Sequence, residues 1–311
     1  MAVEGRQVSV ALPGRVEPAA EAMPTGQVRA GTGERLVRAA PRGIAKYCLL
    51  LVFLAASVLP FLWILGIAIK SKPDFYRSPF GWPEPLQWSN FGRAWEVGGF
   101  GDLFINSVIL TVPSVLGVAA CSALAGYALA KLAFHGRKLI FYVLLAGMMI
   151  PFQAVMIPLY YQLRDLGLLG TYLAGILPLI ALGLPFGIFL MRAFILNLPD
   201  DLVDACRVDG ASELQVFLHV VLPLARSALA TVVIVQFISS WNAFLLPLLF
   251  VQEQALRPLT LGLLNFSTRY STDYTLVSAG VLILTVPMVA VYVMFQKQFI
   301  RGLTAGALKG G

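Results

Sequence analysis

The residues best suited to chemistry between molecules lie in a polar insert at positions 197–223, which reads NLPDDLVDACRVDGASELQVFLHVVLP and holds five of the sixteen acidic residues of the chain. Its spacing points to docking. Exposed carboxylates can pair with a cation on another protein, and a corner of small residues lets that protein approach closely. The docking set is Asp204, Ala205, Cys206, Asp209, Gly210, Ala211, Ser212, Phe217 and Pro223.

Local signals predict how the insert folds. Pro199 suits a first helical turn, and Asp200 and Asp201 after it are favourable at the positive end of a helix dipole. A short helix through Leu202, Val203, Ala205, Cys206 and Val208 then meets Gly210, the residue best able to end it in a left-handed conformation. Ser212 with Gln215 three positions on forms a capping-box signature. Leu214, Phe217, Leu218, Val221 and Leu222 follow at i, i+3, i+4, i+7 and i+8, an apolar helical face. Pro223 is expected to bend the chain toward the next element.

The elements that must hold this hairpin are membrane spans. The chain has 311 residues, 58% hydrophobic and 13% charged, far more apolar than a soluble domain. Charge-free windows at 47–69, 103–130, 139–161, 166–191, 227–252 and 274–296 predict six transmembrane helices in an all-α polytopic membrane protein. Each exceeds the roughly 20 residues a crossing helix needs. The domain reading is a disordered cytoplasmic tail at 1–46, a six-helix transmembrane domain at 47–296 containing the 197–223 loop, and a cytoplasmic tail at 297–311.

Orientation follows from Lys and Arg. The side carrying both tails, the second and fourth loops and the insert holds 16 of the 23 basic residues, which places it in the cytoplasm. The net charge of +7 is this topology signal rather than a nucleic-acid surface, because no basic stripe or aromatic platform accompanies it. The first apolar run begins after more than forty residues and is long enough to span, unlike a secretory signal.

Several chemistries are disfavoured. His135 and His219 lack neighbouring ligands, so no metal site is expected. Cys48, Cys121 and Cys206 form no paired framework and read as small core residues. The glycine loop and lysine that cradle nucleotide phosphates, GxxxxGKS or GxxxxGKT, are absent; the nearest fragment is Gly136-Arg137-Lys138. No charged residue needs to lie deep in a span, whereas an ion-driven carrier usually keeps one there at a cost of roughly 2.5 to 3.5 kcal/mol. Any energy for transport must enter through a partner, and the chain itself is read as no enzyme.

The stretch DACRVDGASELQVFLHVVLP resembles the EAA loop of permease subunits in ATP-binding-cassette importers. Asp204 stands where Glu is usual, which keeps the charge but shortens the reach. Cys206 stands where a second Ala is usual and keeps the site small. Residues 150–172, the segment WNAFLLPL at 241–248 and the ending FQKQFIRGLTAGALKG at 295–310 resemble the carbohydrate-importer permeases, similar to the smaller maltose permease subunit. The resemblance covers about residue 45 to the C-terminus.

That resemblance implies the type I importer permease fold and a set of partners: a second related permease, two ATPase subunits, an extracytoplasmic solute-binding protein and membrane lipid. ATP and Mg belong to the ATPase, and this chain binds no cofactor. The hairpin would seat in a cleft of the ATPase, with a second contact at Gln298, Arg301 and Gly302. Gln153, Gln236, Ser239, Ser240, Trp241 and Asn242 are the candidate substrate-pathway residues, since such groups hydrogen-bond hydroxyls or stack on a sugar ring. The same groups also bond across helices. Trp82, Trp88 and Trp95 in the outer loop at 70–102 read as interface anchors beside a surface for the binding protein. The competing readings are a permease for a polyamine, peptide or other solute, an ion-coupled secondary carrier, and a scaffold that moves no solute.

Overall fold

The structure is a computed structural model that describes residues 33–268 and 271–307, with side chains described at 46–268 and 271–297. In chain order its helices are α1 (Gly33–Ala68), α2 (Lys72–Arg77), α3 (Ser89–Gly98), α4 (Phe100–Lys131), α5 (Arg137–Gly147), α6 (Phe152–Asp165), α7 (Leu173–Ile195) and α8 (Asp200–Val208). There follow α9 (Glu213–Val216), a π turn (Phe217–Val221), α10 (Leu222–Leu224), α11 (Arg226–Trp241), α12 (Leu245–Phe250), α13 (Leu259–Gly262) and α14 (Tyr274–Ala307). Among the described residues there is no strand, only an isolated bridge between Ser267 and Thr272.

The chain divides into two compact units, Met1–Ser57 and Val58–Gly311. In the first, α1 starts at Gly33, so residues 33–46 are helical where composition predicts an unstructured tail. Glu34, Arg35, Leu36, Arg38, Ala39 and Ala40 are fair to strong helix formers, against Pro41 and Gly43 in the same stretch. The earlier part of the tail lies outside the described residues. Leu49, Leu50, Leu51, Val52, Phe53 and Leu54 all expose their side chains, a surface suited to hydrocarbon rather than water.

Four helices are long and apolar enough to cross a membrane, Lys46–Ala68 within α1, then α4, α7 and Tyr274–Lys297 within α14, and six crossings result if each of two bent helix pairs counts as one. The predicted span at 139–161 is one of these pairs: α5 and α6 meet at 101°. Gly147 ends α5, and Pro151 opens α6 from an extended conformation, φ −66° and ψ 140°. The proline also biases Ile150 away from the helical region. The predicted span at 227–252 is likewise interrupted, since α11 stops at Trp241 and α12 starts at Leu245.

Packing centres on α4 and α7, the most extensively paired helices. Close approach rests on glycine: a Cβ at Gly126 would lie 2.6 Å from Met191 Cβ, and one at Gly187 would lie 2.2 Å from Ser122 Oγ. Gly117 similarly faces Ile180, and Ala123 is buried in the same seam, while Ala120 is exposed. Without a hydrophobic drive between helices in lipid, such small residues supply affinity through backbone proximity. Helix α11 lies against α4, α7 and α14.

Cys48 and Cys121 are exposed and Cys206 is half-buried, so the reading of all three as core residues does not hold. In a chain whose outer surface is apolar, a small sulfur-bearing side chain is as compatible with the outside of a helix as with its core.

Candidate functional site: the hairpin between α7 and α11

The insert folds as its punctuation dictates. Helix α8 begins after Pro199 with Asp200 and Asp201 in its first turn. It ends at Gly210, whose φ is +82°. The Gly210 amide donates to the Arg207 carbonyl at 3.0 Å, and the Ala211 amide donates to the Cys206 carbonyl at 3.0 Å. That pair of bonds is the Schellman motif, which satisfies carbonyls left open at a helix end. Two residues on, Gln215 Oε1 accepts the Ser212 amide at 2.8 Å while Ser212 Oγ accepts the Gln215 amide at 3.4 Å, completing the capping box.

Beyond α9 the helix widens. The Leu222 amide donates to the Phe217 carbonyl, an i to i+5 bond across the π turn. Pro223 lies near the end of the continuous helix Glu213–Leu224, and the 77° change of direction expected after it falls two residues on, at Ala225, between Leu224 and Arg226.

The hairpin has an inner and an outer face. On the inner face Val203, Val216, Phe217 and Val221 are buried together with Met191, Ile195 and Tyr127. The Phe217 ring lies 5.4 Å from that of Tyr127, so this member of the docking set points into the bundle. On the outer face Asp204, Ala205, Asp209, Gly210, Ser212 and Pro223 are exposed, with Cys206 and Ala211 half-buried beside them. Val208, at the corner, is 88% exposed. A concavity of about 390 Å³ lies at the elbow, lined by Cys206, Asp209, Gly210, Ala211, Gln215 and His219 among others.

The electrostatics of the hairpin centre on Arg207, a residue the sequence reading left out. Its guanidinium donates to Asp204 Oδ1 at 2.9 Å from Nη1, and to Glu213 through Nε at 2.8 Å and Nη2 at 3.3 Å. Arg207 thereby ties the two legs together across the Gly210 corner. Its hydrogen bonds to Glu213, then to Asp204, push its pKa up. The Arg207 guanidinium, with the Tyr127 hydroxyl second, holds the Glu213 carboxyl below its usual range. Tyr127, on α4, donates its hydroxyl proton to Glu213 Oε2. One turn further along α4, Lys131 donates to the Leu198 carbonyl at 2.7 Å and to Asp200 Oδ1. Its ammonium holds the Asp200 carboxyl below the ordinary value.

Sequence reasoning missed Tyr127, Lys131, Arg207 and Glu213 as members of the site. The available signal was a Tyr and a Lys four apart at the end of a span otherwise ending in small residues, and an Arg three after Asp204, both helix-face spacings.

The candidate pathway residues separate into two groups. Gln236, Ser240 and Trp241 are buried and engaged: Gln236 Nε2 donates to the Leu179 carbonyl at 3.1 Å and to Ser240 Oγ at 2.9 Å, and Trp241 Nε1 donates to the Leu284 carbonyl at 3.1 Å. Ser239 and Asn242 are exposed, Asn242 bonding the Ile238 carbonyl at 2.9 Å. Gln153 stands exposed on the first turn of α6. Gln236 and Ser239 share a cavity of about 120 Å³ with Val118, Gly183 and Phe186. Gln298, Arg301 and Gly302 fall on the helical backbone of α14, and their side chains lie outside the described residues.

A second concavity, about 430 Å³, is lined by Asp102, Asn106, Gln254, Arg257 and Asn265 among others, at the N-terminal end of α4. The hairpin meets the C-terminal end of that same helix. At 1.5 Å per residue the two features are separated by roughly 45 Å, more than a bilayer core.

Apolar crossing helices around a glycine-packed pair, with a capped polar hairpin set on the end of one crossing helix, define a multi-pass permease of the type I importer fold. The chain belongs to the family of binding-protein-dependent transport system inner membrane components, whose pattern matches residues 122–303. The diacetylchitobiose uptake system permease protein NgcG of Streptomyces coelicolor is 33% identical over 298 residues, covering 94% of this chain and 99% of that protein. The melibiose/raffinose/stachyose import permease protein MelC of Bacillus subtilis is 35% identical over 256 residues, covering 82% and 92%. Among solved structures, a chain of a bacterial ABC transporter involved in the import of the acidic polysaccharide alginate aligns with a TM-score of 0.72 at 26% identity, over 88% of this chain and 100% of that one.

Proposed function

We propose that this chain is a permease subunit of an ATP-driven, binding-protein-dependent importer of a sugar or oligosaccharide, and that its hairpin receives the movement of a partner ATPase. The observation that carries the reading is the hairpin itself. Its fold is fixed internally by two capping motifs and seated on the bundle through Val203 and Phe217. Its outer face is left with Asp204, Asp209 and a nearly bare corner at Gly210. A rigid, exposed, weakly padded elbow is suited to a partner's cleft, and its carboxylates to a cation there.

Sugar as cargo is supported by NgcG and MelC, whose names record uptake of diacetylchitobiose and of melibiose, raffinose and stachyose. The distribution of Lys and Arg puts the hairpin and both termini in the cytoplasm, which leaves the pocket at the far end of α4 facing outward, toward a binding protein. A second permease completes the pathway, and ATP and Mg are used by two ATPase subunits. ATP binding closes the ATPase pair, the docked hairpins move with it, and the helices shift between inward-open and outward-open arrangements.

The test is uptake and ATP hydrolysis by the whole complex in vesicles. Asp204→Lys and Gly210→Trp are expected to insert normally yet weaken ATPase association and abolish uptake. Undiminished uptake and ATPase association in both variants would overturn the reading.

A further inference from the structure

We infer that the hairpin moves the bundle through α4, and that Tyr127 and Lys131 are the positioning residues that make this connection. The inference rests on the docking role proposed above and concerns what lies behind the docked face.

Three routes lead from the hairpin into the bundle. One runs along the chain into α11, but it passes a π turn and then a 77° bend at Ala225. Both are joints, places where a helix departs from its regular ladder and transmits a push poorly. A second runs back through Pro199 into α7, across the non-helical residues between Ile195 and Asp200. The third is not covalent. Helix α4 runs from Phe100 to Lys131 with one interior proline, Pro113, more than three turns away from Tyr127, and its last turns grip both legs of the hairpin.

The grip is made at two points on either side of the corner. Lys131 holds the start of α8 through the Leu198 carbonyl and Asp200, and its side chain is 4% exposed. Tyr127, also buried, holds the start of α9 through Glu213. Glu213 in turn holds Arg207, and Arg207 holds Asp204. The orientation of the exposed Asp204 carboxylate is therefore set, bond by bond, from α4. Immediately above Tyr127, Gly126 lets α4 touch Met191 and the Arg192 backbone amide of α7, so displacement of α4 carries α7 with it. Chains of hydrogen bonds joined to stiff helices are the physical form such coupling takes.

Tyr127→Phe keeps the ring packed on Phe217 and removes only the hydroxyl, and Lys131→Met keeps the stem and removes the charge. In vesicles containing the whole complex, each variant is expected to copurify with the ATPase at normal stoichiometry while sugar taken up per ATP hydrolysed falls about threefold to tenfold. Glu213→Gln should reproduce the Tyr127→Phe loss, and the two together should lose no more than either alone, because they break one chain of bonds. Lys131→Arg should restore most of the coupling.

An unchanged uptake-to-hydrolysis ratio in Tyr127→Phe and Lys131→Met would overturn the inference. So would loss of the ATPase from the purified complex, which would make these residues supports of the docking fold rather than transmitters. Failure of the docking role shows instead in Asp204→Lys and Gly210→Trp, which read association.

Discussion

Gly126 of α4 and Met191 of α7 approach so closely that a Cβ on the glycine would sit 2.6 Å from the Cβ of the methionine and 3.1 Å from the amide nitrogen of Arg192. No rotamer change relieves a clash with a neighbouring helix's Cβ and backbone. Gly126→Leu is expected to force the pair apart and destabilise the protein by about 1–3 kcal/mol or more, the usual range for overpacking. Ala120→Leu, at an exposed position on the same helix, should leave stability unchanged. Thermal unfolding of the detergent-solubilised protein compares the two.

At Gly210 the constraint is conformational rather than spatial. Its φ is +82°, and nothing lies within 4 Å of where a Cβ would stand. Gly210→Val should strain the elbow by roughly 1–2 kcal/mol, whereas Gly210→Asn, a residue that tolerates the left-handed region, should strain it less. Trypsin cleavage at Arg207 reports the difference: faster in the Val variant, near the parental rate in the Asn variant.

Acidification should loosen the hairpin. The Glu213 pKa is lowered by Arg207 and Tyr127, and that of Asp200 by Lys131, so both carboxylates strengthen the fold above their unfolded pKa values of about 4. That contribution is lost as pH falls through the lower folded values. Because the two carboxylates themselves are solvent-exposed, the change is modest. Amide exchange across residues 200–216, compared at pH 7 and in the acid range after correction for intrinsic rates, should show protection falling only in acid, and less so in Glu213→Gln.

Gln236 separates a structural from a transport role. Its Nε2 already serves the Leu179 carbonyl and Ser240, and its Oε1 fills the space that a Cβ at Gly183 would take. Gln236→Leu is expected to cost about 0.6–1.7 kcal/mol of stability, the range for such bonds between membrane helices, with little change in the apparent KM for sugar. A large rise in KM at unchanged stability would assign the residue to the pathway instead.

The hairpin was legible in sequence because its punctuation is local. Pro199, Gly210 and the Ser212–Gln215 pair each act within one or two turns, and each does in the structure what it is built to do. The bends were harder to see, because a straight span and a broken one have the same apolar composition. Pro151 marked the first break, and Pro223 marked the neighbourhood of the second, which falls two residues on at Ala225. The grip of α4 was illegible, since Tyr127 and Glu213 are 86 positions apart and Lys131 and Asp200 are 69 apart. Only packing brings them together.

The π turn at Phe217–Val221 fixes more than a local widening. One surplus residue in a helix turns everything after it by about 100° around the axis. The direction in which the chain leaves the hairpin, as far as the 77° bend at Ala225, is therefore set by the count of amino acids in one turn. Chain length at that spot behaves as an angular setting, indifferent to side-chain identity: removing a single residue would leave hydropathy almost untouched and turn the hairpin's exit, Leu222 to Leu224, about its axis.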